Sequence, residues 1–201
     1  QFDAAYNIAL DSNDNVYILP RLNPGNNTYP VHFSPTEILP NQPSNQNIIS
    51  DYWKTSFLVK YNSTGQFQWK KALQGDVNGV TFNNTILYDL LIDSNDTIHF
   101  IAGFTSGTHL ENNITIPTTV TGSQHYLIKY DTNGNYISNM QLPMADGSFF
   151  VPPSFTFKLD EPRNRYYIGG FRSYVNTNED IPLTYDGTAF TNNAYILAID
   201  A

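Results

Sequence analysis

An all-β fold built of repeated four-stranded antiparallel units is what the sequence predicts, on three observations. A two-part pattern is written three times, in the same order. Within it, apolar and polar residues alternate with a period of two, which is the signature of strands with one buried face. Short clusters of Asp, Asn, Ser, Thr and Gly punctuate the strands at matching offsets. A unit of this size that cannot bury its own apolar faces implies a stacked or radial architecture.

The first part of each copy reads as a hairpin. Its leading strand is Tyr6-x-Ile8-x-Leu10-Asp11, then Tyr88-x-Leu90-x-Ile92-Asp93, then Phe155-x-Phe157-x-Leu159-Asp160. In copy one, Tyr6, Ile8 and Leu10 are expected on the buried face, alternating with Asn7 and Ala9. Polar turns follow at Asp11–Asn15 and Asp93–Thr97, and at Asp160–Asn164, where Pro162 fixes φ. The return strands contain Val16-Tyr17-Ile18, Ile98-His99-Phe100 and Tyr166-Tyr167-Ile168. Copies two and three end this strand in Gly103-Phe104 and Gly170-Phe171, where copy one has Arg21-Leu22.

The second part is another hairpin. Its first strand is Phe57–Asn62, Tyr126–Asp131 and Tyr195–Asp200, with Lys60 and Lys129 at one position and Ala198 at the equivalent one. Gly65 and Gly134 occupy the same turn offset, where a positive φ costs a glycine little. The outgoing strands begin Phe67-Gln68-Trp69 and Tyr136-Ile137-Ser138. Four strands joined up and down are the content of one propeller blade. The predicted fold is therefore a β-propeller, or an open arc of one, with two complete blades and one partial blade. Blade 1 is placed at about 4–75, blade 2 at about 86–142 and partial blade 3 at about 154–201. Propellers have about four to eight blades, so further strands are expected, from a longer chain in the favoured reading or from a neighbouring subunit.

Composition narrows the function classes. Hydrophobic residues make up 40% and aromatics 14%, enough for a packed core, while charged residues make up only 14%. The net charge of −8 argues against a protein that binds a phosphate backbone. There is no Cys, which removes disulfide and thiolate chemistry. No apolar run reaches membrane-spanning length.

The stretches ALDSNDNVYI…SFLVKYNSTGQFQW and LIDSNDTIHFIAGF…HYLIKYDTNGNY resemble the SBBP-type β-propeller repeat of secreted and cell-surface bacterial proteins. Lys60, Lys129, Gly65, Gly134, Trp69, Gly103 and Gly170 carry the resemblance. Asp14 and Asp96, where the family often has Gly, depart from it, as do Arg21 and Ala198. The resemblance implies an exported or cell-surface protein, and it brings no catalytic residues to transfer.

In such a blade the tight turns fall on one face and the long connections on the other. The connections are 23–55, 105–124 and 172–193 within blades, and 74–85 and 143–154 between them. Long loops in compact domains are commonly functional. Their aromatic and imidazole side chains, Tyr29, His32, Phe33, Trp53, His109, Tyr174 and Tyr185, are the candidate ligand-binding set, suited to stacking on sugars or anchoring a protein. The competing expectation is that several of them fold back over blade edges.

Other chemistry is weakly signalled. Asp11-x-Asn13-x-Asn15 and Asp131-x-Asn133-x-Asn135 echo the start of a calcium loop, but the Gly and the bidentate Glu that such a loop needs are missing, with Val16 and Leu22 standing in copy one. No metal or cofactor is expected. Carboxylates on the loops, among them Glu37, Asp51, Asp76, Glu111, Asp146, Glu179, Asp180 and Asp186, would be the raw material of a glycosidase. His32, His109 and His125 lack metal-ligand spacing, and His99 sits mid-strand where other copies have Tyr, as a packed residue would. Asn26-Asn27-Thr28 and four similar triplets fit the N-glycosylation pattern, which an Asn- and Thr-rich chain also generates by chance.

The expected function is thus a non-enzymatic secreted or cell-surface propeller module for binding, adhesion or surface assembly. Its partners would be a protein or glycan at the cell surface, and further blades at the open edge, with neither nucleic acid nor membrane insertion. The alternatives are a propeller glycosidase or lyase, and a structural spacer or a subunit of a filament or envelope complex.

Overall fold

The computed structural model describes residues 4–21, 31–39, 56–73, 85–120, 124–145, 156–171, 183–190 and 194–201. Among these the chain is all β, apart from a 3-10 turn at Glu161–Arg163. The first sheet holds β1 (Ala4–Leu10), β2 (Val16–Arg21), β5 (Phe57–Tyr61) and β6 (Phe67–Ala72), side by side in that order. A small hairpin, β3 (Val31–His32) with β4 (Ile38–Leu39), is inserted between β2 and β5. The second sheet repeats the arrangement with β7 (Thr85–Ile92), β8 (Ile98–Phe104), β11 (Gln124–Tyr130) and β12 (Tyr136–Leu142). Its inserted hairpin is β9 (Gly107–His109) with β10 (Ile114–Ile116). The third sheet has three strands, β14 (Thr156–Asp160), β15 (Arg165–Phe171) and β18 (Ala194–Asp200). Beside it, β13 (Met144–Ala145), β16 (Leu183–Tyr185) and β17 (Thr188–Phe190) form a small sheet of their own. All pairings are antiparallel.

One local device closes four of the tight turns. The side-chain oxygen of the first turn residue accepts the backbone N–H groups two and four residues on. Asp11 takes Asn13 (3.0 Å) and Asn15 (2.9 Å), and Asp93 takes Asn95 (2.9 Å) and Thr97 (2.8 Å). Asn62 takes Thr64 and Gln66, and Asp131 takes Asn133 and Asn135, in the same way. The fourth turn residue then goes left-handed, with φ of 59° at Asp14, 61° at Asp96 and 79° at both Gly65 and Gly134. Asp tolerates this region better than most residues, so it stands in for glycine twice. The third copy uses a shorter turn, in which Asp160 caps the 3-10 turn at Arg163 N and Asn164 takes the left-handed position. Asp160 therefore pairs with Arg165, whereas the partners that close the first two hairpins are Leu10 with Val16 and Ile92 with Ile98.

The sheets pack face to face through two apolar clusters. Tyr17, Leu19 and Leu58 of the first sheet meet Leu90, Ile98, Phe100 and Ile128 of the second. From the opposite face of the second sheet, Tyr88, Ile101 and Leu127 meet Phe157, Tyr166, Ile168 and Leu197 of the third. The leading strands run together, with β7 against both β1 and β14.

Two expectations are corrected here. The leading strands do not keep strict alternation, because β1 and β7 each carry a bulge, between Ala5 and Ile8 and between Leu87 and Leu90. An extra residue re-aims everything on one side of it. Tyr88 consequently packs toward the third sheet and Leu90 toward the first. Nor do Ile8 and Leu10 form a buried face, being 62% and 55% exposed. Each connection within a unit also contains a short hairpin, at 31–39, 107–116 and 183–190. Among the described residues no helix is long and apolar enough to cross a membrane.

Candidate functional site

The inserted hairpins carry the four described members of the candidate aromatic set. His32 is exposed at the end of β3. Phe33, next to it, is buried, edge-on to Phe57 at 5.4 Å and near Phe67 at 6.2 Å. Its carbonyl accepts the Tyr61 hydroxyl (3.1 Å), and the Lys70 ammonium lies over its ring. His109 is fully buried, stacked on Phe104 at 4.6 Å with Nε2 2.9 Å from the Thr105 carbonyl. Tyr185 is half-buried against the second core cluster. Phe33 and His109 are therefore anchors that pin their hairpins to the sheets, and of the four only His32 stands clear at the surface. Tyr29, Trp53 and Tyr174 lie outside the described residues.

Two of the three described loop carboxylates are engaged in ion pairs. Glu37 bonds Lys70, and Glu111 bonds Lys71 at 3.0 Å. Asp186 lies in the β16–β17 turn with its N–H on the Pro143 carbonyl. Asp51, Asp76, Asp146, Glu179 and Asp180 lie outside the described residues.

On the tight-turn side, the Asp11 carboxylate is surrounded by donors. Besides the two turn amides it takes the Asn15 side chain (2.8 Å) and the Tyr17 hydroxyl (2.9 Å), with Lys60 Nζ at 4.0 Å. Burial pushes its carboxyl up, but these hydrogen bonds outweigh burial and leave it below the usual range. A ring of N–H and O–H donors has the reverse polarity of a cation site.

Three buried polar features had no motif to announce them. Asp89, within the β7 bulge, accepts from the Asn7 side chain, from Leu90 N (2.8 Å) and from Phe157 N (3.0 Å). One carboxylate thus ties the leading strands of all three sheets together. Its burial raises the carboxyl above its ordinary value, against the pull of those bonds. His99 places Nε2 3.0 Å from Asp93 Oδ2 and Nδ1 2.7 Å from the Tyr166 hydroxyl. His125 faces the Tyr88 hydroxyl at 3.0 Å through Nε2. Burial depresses both imidazoles, His99 against the opposing pull of Asp93, and His125 to about 4. Burial first, and Asp93 second, push the Tyr166 phenol up to about 12. A signal for Asp89 was in the sequence: the same repeat position holds Asn7, Asp89 and Thr156, polar every time inside an apolar strand.

Ser12 and Ser94 form a second, serial feature. Ser12 donates from N (2.7 Å) and Oγ (2.6 Å) to the two carboxylate oxygens of Asp96 in the next sheet. Ser94 does the same to Glu161, with its N at 3.0 Å. Lys60 Nζ (2.9 Å) and Trp69 Nε1 (3.3 Å) both donate to the Thr132 carbonyl across the first junction. These contacts can hold sheets in register, and they bring no reacting groups together. No protein-family model matches the chain, and no curated protein matches its sequence.

Proposed function

We propose that the chain is an arc of a β-propeller acting as a non-enzymatic binding or adhesion module of an exported or cell-surface protein. One observation carries the reading. Leading strands β1, β7 and β14 lie side by side with β7 in the middle, and each sheet runs outward from them in sequence order. Blades set around an axis would be arranged in this way, which supports the reading. The likeness of the repeat to the SBBP-type family points the same way and supplies the cell-surface setting. The inserted hairpins give the module a variable face on a rigid support, and loops on a rigid scaffold are where recognition concentrates.

The test is retention of the purified chain on an array of immobilised glycans, with His32→Ala and Tyr185→Ala alongside. Saturable retention without product release, weakened several-fold by at least one substitution, is expected. Release of cleaved sugar would replace this reading with the glycosidase or lyase alternative. Retention indifferent to both substitutions would remove the inserted hairpins as the binding face.

A further inference from the structure

The junction between the first and second sheets has a donor half and a receiving half. The donor half is Ser12, Lys60 and Trp69. The receiving half is Asp96, the Thr132 carbonyl and Gly134. Trp69 covers Gly134 so closely that a Cβ there would lie 3.2 Å and 3.3 Å from Cε2 and Cδ2 of the indole. The second junction keeps the serine donor, Ser94, and moves the acceptor to Glu161 because the third turn is shorter.

The first sheet carries a complete receiving half on its outer face. Asp14 holds the place of Asp96, with φ of 59° against 61°. Ser63 holds the place of Thr132 and is exposed. Gly65 holds the place of Gly134 at the same φ of 79°, yet nothing lies within 4 Å of the point its Cβ would occupy. Among the described residues no side chain donates to Asp14. Ile8 and Leu10 are exposed at the positions where Leu90 and Ile92 are packed against a neighbouring sheet.

We infer that this outer face of the first sheet is the docking surface for another sheet of the same repeat, one with a serine after its turn aspartate, a lysine in its third strand and an indole in its fourth. The inference rests on the radial reading proposed above and extends an interface the molecule already makes. It also excludes an obvious occupant. The third sheet of a second copy would bring Glu161 to the serine position, opposing Asp14 with a like charge, and Ala198 to the lysine position. The wild-type chain is therefore not built to polymerise head to tail.

The test uses the full chain with a converted third sheet as the probe. Glu161→Ser and Ala198→Lys install two of the three donors, the three-stranded third sheet carrying no indole, and Asp14→Gly, which keeps the left-handed φ, stops the probe from docking to itself. By sedimentation, the probe should form a 1:1 complex with wild type at least ten-fold tighter than with the Asp14→Gly chain. Equal binding to both, or no complex with wild type, overturns the inference. Because Glu161→Ser also removes the Ser94 bond, a second probe keeps Glu161 and carries only Ala198→Lys and Asp14→Gly. With Glu161 facing Asp14 it should lose that preference and bind the Asp14→Gly chain at least as well as wild type, and a preference for wild type there counts against the inference. A double-mutant cycle on Ser12→Ala and Asp96→Ala, read as unfolding midpoints, separates the two levels. Coupling without docking rejects the inference alone, whereas no coupling rejects the stacked reading as well.

Discussion

The two junctions between sheets use the same repeat positions with different chemistry. At the first, Tyr17 bonds the turn carboxylate of Asp11, and Ser56 is buried just before the third strand, β5. At the second, those two positions hold His99, which bonds Asp93, and His125, which faces Tyr88. The geometric task is the same, a ring donating to the turn aspartate from the strand that follows it. The consequence differs, because a buried phenol is neutral across the acid and neutral range while an imidazole titrates within it. Burial raises the Tyr17 phenol further and depresses both imidazoles. A repeat protein can thus keep one architecture and make a single junction responsive to acid.

The largest expected effect is acid destabilisation of the second junction. Both histidines are held neutral in the fold, so their contribution is complete above about pH 6.5, the unfolded value. It is lost as pH falls from there toward about 4, the folded value for His125. For His125 alone the loss reaches about 3 kcal/mol, and His99 adds in the same direction. Asp89 opposes it, because a carboxyl raised in the fold is relieved by protonation as pH falls. The lowered Asp93 carboxyl adds its own loss only below about pH 4. Denaturant midpoints at pH 7 and 4.5 measure the sum, and His125→Ser, which copies Ser56, should remove most of the difference. An unchanged difference in that variant would break the comparison.

Asp89→Ala comes next. It strips acceptors from Asn7 and from Phe157 N, so it weakens both junctions, by about 2 kcal/mol in total. Urea unfolding checks this, and loss of only one junction would contradict the bridging role. Gly134→Ala is expected to cost about 2 kcal/mol, from its positive φ and its collision with Trp69. Gly65→Ala has the same φ but open space, and about 1 kcal/mol is expected. The gap between the two isolates the indole clamp. The smallest effect is Ser12→Ala, about 0.5–1 kcal/mol for an exposed charge-assisted bond. A shift in thermal midpoint of a few degrees would report it.

The repeat made the strands and tight turns legible, because Asp11, Asp93 and Asp131 each organise a turn by local bonds that depend on nothing distant. Propensity and spacing sufficed there. The bulges at Tyr6-Asn7 and Tyr88-Asp89 were not legible, since a single extra residue leaves the apolar pattern looking regular while sending Tyr88 and Leu90 to opposite faces. The exposure of Ile8 and Leu10 was missed for a related reason: which face of a strand is covered depends on a neighbouring sheet, not on the strand. The inserted hairpins escaped because their strands are only two or three residues long, too short to show a period. Phe33 and His109 read as presented aromatics for the same reason, their hairpins being what turns them inward. His99 was legible as a packed strand histidine from its alignment with Tyr. Its bond to Asp93 across the hairpin needed the fold.

The most direct measurement is amide hydrogen exchange, residue by residue, at pH 7 and pH 5 after correction for intrinsic rates. The account predicts that β14, β15 and β18 lose protection on acidification, while β1, β2, β5 and β6 keep theirs. A uniform loss across the three sheets, or a loss beginning in the first, would contradict it.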